Sequence, residues 1–300
     1  MNKLIIPILN DPAALFPGPR LYLDDETWID KLSDEEFGQA SKSPPLYAEQ
    51  LKTEQKCLFA NVHSTDVDVA KAAAAKLATK VRYVLNNFRR ENPLILNFAI
   101  FLHESANGTR KKQKISAIDF DEPSGNWSKS KNAFRFKTGI NRGDISQFYK
   151  VVDGACNKHR KLFLTLSRFN SSLSREKFTD RIIDATISLE SMVQDDKNEL
   201  SFKFALYNAH ACSTDSEKRA EAFEQFKDLY STRSTIVHGA ADEEKEQRLI
   251  GKIENNWSTI EKYASSSINY HLFFMNQSDP KNWIKHLISR SLEQKDQLAD

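Results

Sequence analysis

From residue 144 to the end of the chain, apolar residues recur at helical spacing in one stripe after another. The first stripe, from Ile145 to Phe169, predicts one long helix. The later stripes comprise Phe178–Met192, Leu200–Ala211, a helix capped by Ser216 and ending at His238, Leu249–Ala264, and a last helix opened by Asp279-Pro280. Successive amphipathic helices with short connections predict an all-α helical bundle over residues 144–300.

Residues 1–143 show a different pattern, because short aliphatic runs alternate there with polar stretches. We expect a strand at Leu4–Leu9 and a long helix capped by Asp66. Further strands are expected at Leu94–Leu102, Lys114–Phe120 and Ala133–Lys137, the last two flanking a polar loop over Asp121–Asn132. This pattern predicts an α+β domain of unknown role, with a boundary near residue 143.

The charge balance excludes a polybasic coat of the kind that wraps nucleic acid. The 300 residues hold 43 basic and 41 acidic side chains, a net charge of only +2. Two lysine-rich runs stand out, Arg110–Lys114 and Lys129–Lys131, and we expect both to lie in loops. Such loops are either simply solvated or contact phosphates.

The cysteine pattern favours a reducing compartment. Cys57, Cys156 and Cys212 are an odd number without spacing, which argues against a disulfide framework or a zinc site. The apolar run among the first residues is too short and too interrupted for a secretory signal, and no apolar stretch approaches about 20 residues. We therefore expect a cytoplasmic protein without a membrane span. No phosphate-binding glycine loop or paired metal motif is present, so no metal and no cofactor are predicted.

The segment from Arg233 to Gly239 carries the chemistry that is easiest to interpret. Arg233 falls on the same helical face as Phe226 and Tyr230, although a buried charge needs an acid, an interface or a phosphate as partner. His238 stands five residues later in the last turn, and glycine follows. An arginine and a neutral histidine are sufficient to hold a phosphate and move a proton. The same two residues could instead merely pair and end a helix.

Three ordered blocks over roughly residues 160–265 resemble the HEPN superfamily, and most closely its Apea-like branch. They are REKFTDRIIDATISLESMV (175–193), ELSFKFALYNAHA (199–211) and FKDLYSTRSTIVHG (226–239). The last block matches the signature of an arginine, four to six residues, and a histidine. Ser234 follows the arginine where many nuclease members carry Asn, Asp or His. Glu190 matches the family's Leu-Glu position and is either the acid that orients Arg233 or a solvated glutamate.

The resemblance implies a metal-independent endoribonuclease that leaves 2′,3′-cyclic phosphate ends. Arg233 would hold the scissile phosphate and His238 would act as general acid or base, with Glu190 and Ser234 supporting them. It also implies a homodimer acting on RNA in phage defence or a toxin-like system of growth arrest, with a phage-derived trigger or an antitoxin as a further partner. The alternative is a non-catalytic HEPN module for dimerisation or RNA binding.

Overall fold

The computed structural model describes residues 2–8, 20–42, 56–91, 98–107, 110–119, 135–136, 141–193, 199–239, 242–278 and 280–293. The chain divides into two compact units, Met1–Lys150 and Val151–Asp300. This division lies seven residues after the boundary expected from the sequence, within the first helix of the helical half. An antiparallel sheet in the first unit and a series of helices in the second confirm the predicted order of α+β followed by helical structure.

The first unit is organised around an antiparallel sheet. Its strands are β1 (Asn2–Pro7), β2 (Leu21–Tyr22), β3 (Thr27–Lys31), β4 (Lys56–Val62), β6 (Phe98–Asn107) and β7 (Arg110–Asp119). They pair in the order β2-β3-β4-β1-β6-β7, with Ile5 of β1 opposite both Phe59 and Ile100. Two short strands, β5 (Arg89–Glu91) and β8 (Arg135–Phe136), form a separate pair.

Two helices accompany this sheet. The short helix α1 (Asp34–Ala40) begins with a capping box between Ser33 and Glu36 and places Ala40 in an apolar cluster with Trp28 and Phe59. The longer helix α2 (Val67–Asn87) contacts β1, β6 and β7. Its N-cap is Asp66, whose carboxylate accepts hydrogen bonds from two backbone amides of the first turn, as the sequence predicts.

The helical half contains seven α-helices within the described residues. They are α3 (Arg142–Lys158), α4 (Arg160–Ser174), α5 (Phe178–Val193), α6 (Leu200–Cys212), α7 (Ser216–His238), α8 (Glu243–Gln277) and, after a 3-10 turn at Pro280–Asn282, α9 (Trp283–Glu293). Among the described helices, the most extensive contacts are made by the pairs α4–α5, α6–α7, α6–α8 and α7–α8. Their buried faces carry the predicted apolar stripes, for example Ile182 in α5, Phe226 in α7 and Ile260 in α8.

Several expected boundaries were wrong. The stripe expected to form one helix from Ile145 to Phe169 belongs to α3 and α4, which are separated by His159 in an extended conformation. The apolar face continues across this break, so periodicity alone does not reveal it. Asp215, rather than Ser216, caps α7, and α8 begins at Glu243, six residues before the expected apolar stripe that starts at Leu249. Pro280 opens a 3-10 turn, with α9 beginning at Trp283.

The first unit also departs from its expected pattern. The run Arg110–Lys114, expected to be a loop, is the first half of β7, and β3 and α1 lie in a stretch for which no strand or helix was expected. The predicted strand Leu94–Leu102 is described only from Phe98, where β6 begins, and the strand continues to Asn107. Lys129–Lys131 and the predicted loop Asp121–Asn132 lie outside the described residues.

Candidate functional site: the end of helix α7

Helix α7 owes its position to the apolar residues on one of its faces. Asp215 caps its start by accepting a hydrogen bond from the Lys218 amide at 2.9 Å. Phe226 and Leu229 are fully buried, and the ring of Phe204 in α6 packs against Phe226 and Tyr230. This packing fixes the rotation of the helix, and therefore decides which way the residues of its last two turns face.

Arg233 faces α5, where it meets Glu190. The distance between Arg233 Nη2 and Glu190 Oε2 is 3.7 Å, which is an ion pair without a direct hydrogen bond. Both groups are shielded from water, because their side chains are 23% and 12% exposed respectively. Arg233 Nε is buried and has no hydrogen-bond partner within the described part of the chain. The guanidinium is thus held by charge attraction while part of its donor capacity stays unused.

Tyr230 belongs to the same electrostatic cluster. Burial raises the pKa of Glu190, and the positive charge of Arg233 opposes that rise without cancelling it. Burial likewise raises the pKa of the Tyr230 phenol; the Glu190 carboxylate adds to the rise and Arg233 opposes it. From the sequence, Tyr230 was predicted to lie on the apolar stripe and was not included in the site. Its spacing of three residues from Arg233 was the signal that could have done so.

His238 lies apart from this cluster. It is exposed at the last position of α7, beside Val237, whose side chain is 50% exposed. Five residues at about 100° each leave Arg233 and His238 about 140° apart around the helix. Within the described residues, no hydrogen bond or ion pair joins the two side chains. The structure therefore brings Arg233 to Glu190 and leaves His238 accessible to another molecule.

The residues around the pair end the helix in the expected manner. Gly239 follows His238 with φ at +76°, a backbone conformation that favours glycine. Ser234 is half-buried, and its hydroxyl makes no hydrogen bond to any described residue. The neighbouring Thr235 bonds the Ser231 carbonyl at 3.1 Å instead. Ser234 Oγ is therefore not occupied by the backbone contact that a helical serine usually makes.

No site for a metal ion is formed by three or more His, Cys, Asp and Glu side chains in the parts of the chain that the structure describes. None of the described helices is both long enough and apolar enough to span a membrane. Comparison with known proteins yields no match to a family model, to a curated protein or to a solved structure. The function of the α7 terminus therefore has to be argued from its own residues.

Proposed function

We propose that the chain is a metal-independent endoribonuclease of the HEPN type. His238 moves the proton between the ribose 2′-hydroxyl and the leaving 5′-oxygen, since an imidazole titrates near neutral pH. Arg233 binds the scissile phosphate and stabilises the negative charge of the transition state. The products would carry 2′,3′-cyclic phosphate and 5′-hydroxyl ends.

One observation carries this proposal: the Arg233 guanidinium, 23% exposed near the end of α7, lies 3.7 Å from Glu190 and is paired with it by charge without a direct hydrogen bond. A guanidinium used against a phosphate must be held in position before the substrate binds, because reorganisation during the reaction costs rate. Glu190 supplies that constraint at 3.7 Å without occupying the guanidinium by a direct hydrogen bond. In this role Glu190 is a positioning residue.

The divergence of the two side chains supports a composite site. Arg233 and His238 emerge about 140° apart, so one copy of α7 does not direct both at the same phosphate. A symmetric dimer that juxtaposes two α7 termini would place His238 of one copy near Arg233 of the other. The exposed side chain of Val237, adjacent to His238, is an apolar contact that such an interface would cover.

This proposal extends to the biological setting in which such a nuclease would work. A cytoplasmic RNA-cleaving dimer that arrests growth, for defence against phage or as a toxin, needs a regulator. The N-terminal sheet unit is the part of the chain available for sensing a phage-derived trigger or an antitoxin.

A second candidate, a non-catalytic HEPN module for dimerisation or RNA binding, is favoured by the same ion pair. If Glu190 neutralises Arg233 permanently, the arginine is a structural residue and His238 only ends the helix. The two functions differ in the effect expected of removing the His238 imidazole. The nuclease would lose RNA cleavage, whereas a module in which His238 only ends the helix has no cleavage that depends on it.

The deciding experiment expresses the wild-type chain beside His238→Ala and records both growth and the integrity of tRNA and mRNA. We expect cleavage with cyclic phosphate ends in the wild type and a loss of about 10²–10⁴ in rate for His238→Ala. His63→Ala is the matched control, because His63 is also an exposed histidine and lies in the sheet unit. Cleavage by His238→Ala at the wild-type rate would exclude the proposed mechanism and leave the module.

A further inference from the structure

The segment from Lys158 to Arg175, which comprises α4 and its two flanks, is the place where the balanced charge of the chain breaks down. It holds Lys158, Arg160, Lys161, Arg168 and Arg175 and not one Asp or Glu. The whole chain, by comparison, has 43 basic and 41 acidic residues. A local excess of this kind is hidden in the net charge and becomes visible only when it is placed on a helix.

The basic residues are concentrated on one exposed side of α4, which borders the contact of α4 with α5. The inner side is apolar and buried through Leu162, Leu166 and Phe169. Lys161 and Arg168 are seven residues apart, so they lie on one side of the helix, and exposed Leu164 lies between them in sequence. The side chains of Arg160 and Lys161 are exposed and make no hydrogen bond or ion pair with any described residue.

Two arginines at the other end of this face are fixed by one buried carboxylate. Asp184 in α5, only 4% exposed, accepts from Arg168 Nη1 at 2.8 Å and from Arg175 Nε at 2.9 Å. The arginine side chains are themselves 41% and 35% exposed. Arg181 adds a third guanidinium by donating to the Arg175 carbonyl at 2.7 Å. One acid thus orients two guanidinium forks towards solvent and leaves the group with excess positive charge.

This face starts close to the turn of α5 that carries Glu190. Thr165 Oγ1 is 2.5 Å from Ser191 Oγ, and Ser188 Oγ donates to the Thr165 carbonyl at 2.8 Å. Glu190 lies between these two serines in the sequence. From Lys161 the basic residues extend along α4 for about 21 Å at about 1.5 Å per residue. They therefore form a row that begins at the level of Glu190 along α5, although Glu190 projects about 100–160° around α5 from the two serines, towards α7.

We infer that the exposed basic side of α4 and its C-cap, with Arg160, Lys161, Arg168 and Arg175, is the surface on which single-stranded RNA docks through its phosphates. The inference rests on the proposed function for the identity of the ligand, and on the uncompensated charge of α4 for the site. An extended polyanion fits a linear row of cations, and the exposed Leu164 in the row gives a base an apolar contact.

The test measures RNA binding separately from cleavage. The full chain carrying His238→Ala is titrated against a fluorescein-labelled single-stranded RNA of about 20 nucleotides, longer than a typical single-strand site, and anisotropy is recorded over a series of KCl concentrations. Arg160→Gln with Lys161→Gln removes two cations whose side chains have no partner among the described residues, so the fold should be kept. The matched control is Lys262→Gln with Lys285→Gln, which removes two exposed lysines from α8 and α9.

The association constant for a single strand falls as the salt concentration rises, and each phosphate contact adds about −0.7 to the slope of log K against log[salt]. Losing two contacts should lower the slope by about 1.4 and weaken binding about 25-fold at about 0.1 M salt, while the control pair binds like its parent. An equal effect of both pairs, an unchanged affinity of the α4 variant, or a parent that binds no RNA would overturn the inference. Displacement of RNA by polyglutamate at equal charge concentration would assign the surface to an acidic protein and overturn it too.

Failure of this docking surface and failure of the nuclease give different results. If the wild type cleaves RNA but the α4 variant binds normally, the nuclease stands and the docking surface is wrong. If the wild type does not cleave but the α4 variant loses affinity, the surface stands and the chain is an RNA-binding module.

Discussion

Glu190 of α5 and Arg233 of α7 lie 3.7 Å apart between carboxylate and guanidinium, at a point where both side chains are largely shielded from water. They are separated by 43 residues in the chain, so their pairing is a property of how α5 and α7 pack. The pair links the stability of the bundle to the geometry of the candidate site, and each aspect can be measured on its own.

A double-mutant cycle should reveal the coupling between these two residues. Glu190→Gln and Arg233→Met should each lower the free energy of unfolding by about 1–3 kcal/mol, between the values for exposed and buried pairs, because each leaves a shielded charge alone. The double variant should lose about 1 kcal/mol less than the sum of the two. Urea unfolding followed by circular dichroism gives all four values, and strictly additive losses would show that the 3.7 Å contact contributes nothing.

Arg233→Lys separates the structural contribution of Arg233 from its contribution to RNA cleavage. A lysine ammonium still attracts Glu190, so the free energy of unfolding should remain near that of the wild type. It lacks the planar fork that binds a phosphate with two hydrogen bonds, so cleavage should fall about 10²–10³-fold. Unfolding in urea and a gel-based RNA cleavage assay are run on the same preparation. Normal cleavage by a stable Arg233→Lys would show that only a point charge is needed.

The succession of helices in the second half was predicted, because apolar residues recur there at helical spacing, although several starts and one break were not. Asp66 illustrates this in the first unit, since an aspartate before an amphipathic stripe has a direct physical role as a cap. The break at His159 could not be predicted, because the apolar spacing runs through it from α3 to α4. Strand β4 was missed, since its single short run of apolar residues offers little periodicity.

The candidate site was predictable only as far as local spacing reaches. The spacing of Arg233 and His238 on one helix follows from the sequence, whereas the partner of Arg233 depends on a contact between distant segments. Glu190 was proposed as that partner from a family resemblance, and the alternative of a solvated glutamate remained open. The basic side of α4 was not predicted, for another reason: Lys161, Arg168 and Arg175 follow one another at intervals of seven residues and form no contiguous basic run of the kind found in β7.

The chain should form a homodimer through the end of α7. Light scattering coupled to gel filtration at micromolar concentration should give twice the chain mass of 34.3 kDa. Val237→Glu replaces an exposed apolar side chain next to His238 by a charge, and should yield a monomer with unchanged helical content. The same change at Ile288, a comparably exposed residue of α9, is the control and should leave the dimer intact. A wild-type monomer would argue against a composite site.

The helical half should lose stability on acidification through His271. This residue of α8 is only 2% exposed, its Nδ1 has no hydrogen-bond partner within the described residues, and its ring lies 4.3 Å from that of Trp283 in α9. Burial lowers the pKa of His271 to about 3, with a smaller contribution from the nearby His159.

Because the folded pKa lies below the ordinary histidine value of about 6.5, the unfolded chain takes up this proton first as the pH falls. The contribution of the neutral imidazole to stability is therefore complete at neutral pH and is lost progressively between about pH 6.5 and pH 3. Between about pH 7.5 and pH 5.5 this single group should lower the free energy of unfolding by about 1.4 kcal/mol.

Urea unfolding at both pH values measures the total loss for the wild type. His271→Gln, which cannot be protonated in this range and leaves His159 and His286 in place, should lose about 1.4 kcal/mol less. Equal losses for the two proteins would mean that His271 becomes protonated without unfolding, and hence that α9 does not seal it from water.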